Sequence, residues 1–126
     1  MLGYPPIHSV ASALSTILVL SLGALAGITS AGEIVRDGSV GSGPLTLTPA
    51  TGGGPVLITE EHGQLAGENL LHSFSAFDLD AGEWARFEAT STVSNVISRV
   101  TGGSPSRIDG RLESAIPNAD FFFINP

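Results

Sequence analysis

Five groups of residues have side chains of the kind that chemistry uses, and spacing decides what each can do. His72, Ser73, Ser75 and Asp78 contain the types of a nucleophile, base and acid triad. On a strand, successive side chains point to opposite faces, so the set cannot converge. The segment reads as structural, with Ser73 and Ser75 inward and His72 on the other face. Asp78, Asp80, Gly82 and Glu83 have the opening spacing of a calcium loop, but the glutamate that closes an EF-hand is missing, which leaves a solvated turn. Glu60, Glu61 and His62 are adjacent, diverge on a strand, and read as a polar corner. Gly52, Gly53 and Gly54 lack the lysine and helix of a phosphate-cradling loop. Trp84 and Arg86, at alternate spacing, read as a cover over the fold or a surface stack. No catalytic, cofactor-binding or metal residue is assigned, and no cofactor is expected.

Composition narrows the class. Five arginines, no lysine and 12 acidic residues give a net charge of −7. Such a chain is a poor phosphate binder, which sets aside nucleic acid and anionic membrane surfaces as partners. Charged residues make up 13% of the 126, about half the usual share. The absence of cysteine excludes a disulfide framework, a thiolate metal site and a cysteine nucleophile. The 16 glycines and 8 prolines indicate a turn-rich β protein.

No Asp, Glu, Lys or Arg occurs from Met1 to Gly32. The apolar run Val10 to Ala26, followed by small residues, has the layout of a secretory signal, although no Lys or Arg precedes it. A retained membrane anchor is the alternative. Small-x-small sites allow cleavage after Ala26 or Ala31, and Ala31 fits better because strand-like sequence starts directly afterwards. The expected organisation is a signal peptide, 1–31, followed by one domain, 32–126.

Within that domain the pattern is strand and turn. Strands are expected at Glu33–Arg36, Leu45–Thr48, Val56–Thr59, Leu70–Leu79, from Ala85, at Ser94–Thr101, from Ile108 and at Phe121–Ile124, separated by Gly- and Pro-rich breaks. In the long strand, Leu71, Ser73, Ser75, Phe77 and Leu79 share one face. Ile108, Gly110 and Leu112 oppose Asp109, Arg111 and Glu113. Phe121, Phe122, Phe123 and Ile124 are apolar on both alternating faces, as in a strand buried on both sides. No helical period occurs. An all-β fold follows, either a sandwich or a β-helix.

The run Asn95-Val-Ile-Ser-Arg-Val-Thr-Gly-Gly-Ser-Pro-Ser-Arg-Ile-Asp-Gly-Arg-Leu112, continued by Ile116-Pro-Asn-Ala-Asp-Phe-Phe-Phe-Ile-Asn-Pro126, is specific. With Asp37–Leu45, Ile58–Gly63 and Gly67–Leu79 upstream, it resembles the N-terminal secretion domain of the filamentous haemagglutinin family, the exported member of two-partner secretion. The resemblance spans 33–126. It implies an all-β, right-handed parallel β-helix (a single-stranded solenoid), incomplete at its C-terminus and preceded by a signal peptide. It also implies recognition by the POTRA domains of an outer-membrane transporter, and passage through the periplasm of a Gram-negative-type envelope to the cell surface or medium, as part of an adhesin-like exoprotein. Contact with membrane is expected only during export. Of the family's Asn-Pro-Asn-Gly-Ile turn only Asn125-Pro126 is present, and its Asn-Pro-Asn-Leu motif is absent, so a truncated secretion domain is expected.

POTRA domains can add an edge strand to a client. Asn69, Asn95, Asn118 and Asn125, with Pro126, are the candidate residues for orienting such segments. The competing reading is a fragment of a carbohydrate-binding or carbohydrate-active β-helix protein, for which Asp109, Arg111 and Glu113 are the nearest thing to a charged stacked face.

Overall fold

The computed structural model describes residues 31–126. Most of the expected signal peptide, with the candidate cleavage point at Ala26, lies outside the described residues. These form nine strands and a single 3₁₀ turn: β1 Ile34–Asp37, β2 Pro44–Leu47, β3 Val56–Ile58, the turn Glu60–His62, β4 Gln64–Ala66, β5 Asn69–Phe77, β6 Trp84–Phe87, β7 Asn95–Val100, β8 Arg111–Ser114 and β9 Asp120–Ile124. The fold is all-β. Glu60, Glu61 and His62 form that turn rather than a strand end.

Two parallel triples carry the architecture. β5, β7 and β9 pair in parallel, with Asn69 opposite Asn95 and Asn95 opposite Asp120. β3, β6 and β8 pair in parallel, with Val56 opposite Ala85 and Ala85 opposite Leu112. The chain therefore returns to the same sheet at steps of 25 to 29 residues, and equivalent positions stack in columns. The pairing is nevertheless mixed. β1 pairs antiparallel with both β2 and β5, and β4 pairs antiparallel with β5.

Apolar side chains of both sheets meet in one core. Its centre is Ile34, Ile58, Leu70, Phe74, Phe77, Leu79, Phe87 and Val96, all nearly fully buried. Each large side chain buried in this way contributes about 1.5–3 kcal/mol. Phe74 meets Phe77 edge-on at 5.0 Å, Phe77 meets Phe123 at 4.9 Å, and Phe87 meets Phe121 at 4.9 Å. These offset and tilted geometries suit aromatic quadrupoles.

Three expectations change. Along β5 the inward residues are Leu70, His72 and Phe74, not Leu71, Ser73 and Ser75. The frame switches after Phe74 because Arg36 opposes Phe74 while Val35 opposes Ala76, so Ser75 is an extra, bulged residue. A bulge shifts the alternation by one, which brings Phe77 and Leu79 inward as expected. The last strand is one-sided. Phe121 and Phe123 pack against the core, while Phe122 and Ile124 are 48% and 55% exposed. Finally, Ile108 makes only an isolated bridge to Leu79 and is largely exposed, and the strand proper begins at Arg111.

Corners need close backbone approach. A Cβ on Gly102 would collide with the Ser75 carbonyl oxygen, and one on Gly110 with the Glu83 carbonyl oxygen. Glycine at these points lets the later segment lie directly against the backbone of the earlier one.

Candidate partner-recognition surface

The candidate asparagines fall into two places. Parallel register puts Asn69, Asn95 and Asp120 in one outward column at the entry of β5, β7 and β9. Asn95 Nδ2 donates to Asn69 Oδ1 at 2.9 Å. The backbone beside the column is also tied. Ser94 N and Asn95 N donate to the Glu68 carbonyl at 2.8 and 3.2 Å, and Asp120 N donates to the Ser94 carbonyl at 2.9 Å. Asn118 begins the approach to β9 with φ 59°, a left-handed conformation that asparagine tolerates because its short side chain bonds locally. Asn125 and Pro126 lie at the far end of β9, about 17 Å away at the rise of a five-residue strand. There Asn125 Oδ1 accepts from Ser106 N at 2.8 Å, fixing the Gly103–Ser106 loop to the end of the strand. Asn69 and Asn95 are thus brought together, whereas Asn118 and Asn125 flank β9.

Between these two places lies an exposed edge. Among the described residues β9 pairs only with β7, and β8 only with β6. One side of β9 is therefore unpaired among the described residues, open to a following strand of the same chain or to an added one. Its outward face continues a column of Leu71, Ile97 and Phe122, which becomes more exposed towards the edge. The neighbouring column is Ser73, Arg99 and Ile124.

Sequence reasoning missed a polar hub at the opposite, β1 side. Asp37 Oδ2 accepts from Ser73 Oγ at 2.6 Å and Thr101 Oγ1 at 2.7 Å, and Asp37 Oδ1 accepts from Ser39 N at 2.8 Å. Arg99 Nε donates to Ser73 Oγ at 3.1 Å. Burial pulls the Asp37 carboxyl upward, but the bonds from Ser73, Thr101 and Ser39 outweigh it and hold it well below the usual carboxylate range. Partners up to 64 residues apart leave no local pattern to read.

The other chemical candidates are already engaged in structural contacts. Ser73 is turned away from His72 and bonded to Asp37. Asp78 Oδ1 accepts from Arg107 N at 2.8 Å, and Arg107 lies 3.9 Å from Asp80. Glu60 accepts from Thr90 Oγ1 at 2.6 Å and Ser91 N at 3.0 Å. No group of three His, Asp or Glu among the described residues could hold a metal ion. Trp84 stacks under Arg111 at 4.2 Å rather than with Arg86, which pairs with Glu88 and Glu113. In the shallow groove lined by Glu83, Trp84, Asp109 and Arg111, the groups a sugar would use are taken. Arg111 covers the indole, Asp109 Oδ2 accepts from Arg107 Nε at 2.8 Å, and Glu83 Oε2 accepts from Gly32 N and Asp80 N at 3.0 and 2.8 Å.

Comparison with known families matches the chain to the TPS secretion domain over residues 28–126. No curated protein and no solved structure matches the chain.

Proposed function

This chain belongs to the TPS secretion domain family, the export module of a two-partner-secretion exoprotein, and from that premise we propose that the POTRA domains of an outer-membrane transporter recognise it. The match over 28–126 carries the reading. A secretion domain is a targeting module, which supports a non-catalytic role for the chain. Recognition works by strand addition: main-chain bonds supply affinity, and side-chain pockets supply choice. The outward apolar column of Leu71, Ile97 and Phe122 suits such pockets. Asn69, Asn95, Asn118, Asn125 and Pro126 orient the recognised segments, and Asn125 sets where the edge ends by holding Ser106.

The remaining parts of the reading follow from the same premise. Residues 1–31 are a signal peptide cleaved after Ala31, and the domain 32–126 crosses the periplasm before reaching the surface as the leading part of an adhesin-like exoprotein. Stacked parallel triples at steps of 25 to 29 residues support a right-handed β-helix as its folded form. The antiparallel β1, β2 and β4 then close its first coil.

The test is secretion through the cognate transporter, alongside binding of the chain to the transporter's isolated periplasmic domains. Asn125→Ala and deletion of 33–48 should each reduce both. Unchanged secretion in both variants refutes the assignment of these positions.

A further inference from the structure

Thr59 is gripped from two sides by histidines that come from different elements. Its N–H donates to His62 Nδ1 at 3.1 Å, and its carbonyl accepts from His72 Nε2 at 3.1 Å. Each bond fixes a protonation state. A ring nitrogen that accepts from an amide carries no proton, so His62 is neutral. A carbonyl only accepts, so His72 carries its proton on Nε2, and its Nδ1 is bare when the ring is neutral. That Nδ1 is buried without a hydrogen-bond partner, and the whole residue is only 2% exposed. A second proton on His72 would therefore enter a site with no acceptor for it. A proton on His62 Nδ1 would set a donor against the Thr59 N–H.

The surroundings make added positive charge unwelcome. From β1, Arg36 is also 2% exposed; among the described residues its side chain makes a long bond to Ser42 Oγ, 3.5 Å, and its Nε has no partner. Phe74 and Phe87 flank the His72 ring at 6.1 and 5.2 Å. From the 3₁₀ turn come Glu61, which favours charge on His62, and Glu60, whose carboxylate is engaged with Thr90 and Ser91. Burial first, and then the Arg36 charge, hold His62 below its ordinary value despite Glu61. Burial likewise pushes His72 down to about 4, against the Thr59 carbonyl bond and with help from His62 and Arg36.

We propose that Thr59, His62 and His72 form an acid-sensitive latch whose protonation loosens residues 59–66 from β5 while the stacked coils beneath stay folded. The sign follows from linkage. A histidine with a folded pKa below its free value stabilises fully above about 6.5, and that contribution is lost as the pH falls towards 4. The Thr90 and Ser91 bonds hold the Glu60 carboxyl below its ordinary value, so the histidines gain protons before Glu60 does. The loosened segment therefore stays tethered to the Thr90–Ser91 loop instead of leaving the fold. This device is independent of which transporter, if any, receives the chain.

Hydrogen exchange of the full chain, read by mass spectrometry from pH 7.5 to 4.5 and corrected for intrinsic rates, tests it. Peptides covering 59–66 should lose protection by about tenfold or more between pH 7.5 and 5, while those covering 95–100 and 111–114 keep theirs. His62→Asn retains an acceptor where Nδ1 sits, and His72→Gln retains a donor where Nε2 sits, but neither titrates. Each should blunt the acid step, and the double variant should abolish it. If His72→Gln fails to fold, His62→Asn decides alone. Loss of protection across all segments together, no loss in 59–66, or an unchanged step in His62→Asn would each overturn the proposal.

Discussion

The Asn69–Asn95 bond is the point where a role in folding and a role in recognition can be separated by measurement. The two side chains are half-buried, paired in register and joined at 2.9 Å. A neutral hydrogen bond of this kind contributes a net 0.5–1.5 kcal/mol or so. Removing either partner with alanine leaves the backbone ladder of β5 and β7 in place, so the side-chain term can be isolated. A double-mutant cycle of Asn69→Ala, Asn95→Ala and the pair should give a coupling of about 1 kcal/mol. For a domain of this size, that is a midpoint shift of about 4–8 °C for the single variants. Trp84 is the only tryptophan, and it lies on β6 in the other sheet, so its fluorescence in urea reports unfolding of the whole domain rather than fraying at the ladder. Coupling within about 0.3 kcal/mol of zero would refute the stacking argument. Binding to the isolated periplasmic domains then separates the roles. A variant that loses stability but keeps full binding marks these residues as purely structural.

Three further outcomes follow from the same geometry. Asp120 stands in the Asn69–Asn95 column and makes no side-chain hydrogen bond among the described residues, so Asp120→Asn should extend the ladder and raise stability in urea by about 0.5–1 kcal/mol. Gly110→Ala puts a methyl group against the Glu83 carbonyl and 2.8 Å from the Asp80 carbonyl, and should cost about 1–3 kcal/mol, read from thermal melts. The Asp37 carboxyl titrates below its free value, so its contribution is present above about pH 3.8 and lost as the pH falls further. Melting temperatures should therefore drop more steeply below pH 4 in the parent than in Asp37→Asn.

Local sequence carried the class of the fold and its punctuation. Alternation and Gly- and Pro-rich breaks located strands at 34–37, 44–47, 69–77, 95–100 and 120–124 to within a residue or two. Separated motifs carried the family, now matched over 28–126. Period-two alternation states that two faces exist without saying which one is inside. In β5 that choice depended on a bulge at Ser75 created by pairing with β1, about 40 residues earlier. It turned His72 into the core and left Ser73 for Asp37. The same holds for β9, where four consecutive apolar residues read as two-sided but only Phe121 and Phe123 found a core to meet.

The amino-acid order by itself determined that this protein is acidic, strand-built and kin to secretion domains, because composition, turn chemistry and motif spacing act over a few residues at a time. Tertiary structure alone decided the columns and the contacts built on them: Asn69 on Asn95, Arg111 over Trp84, and Asp37 between Ser73 and Thr101. The reason is that a column partner is set by register. Register is fixed by backbone hydrogen bonds between segments 25 or more residues apart, where a slip of one residue exchanges every neighbour.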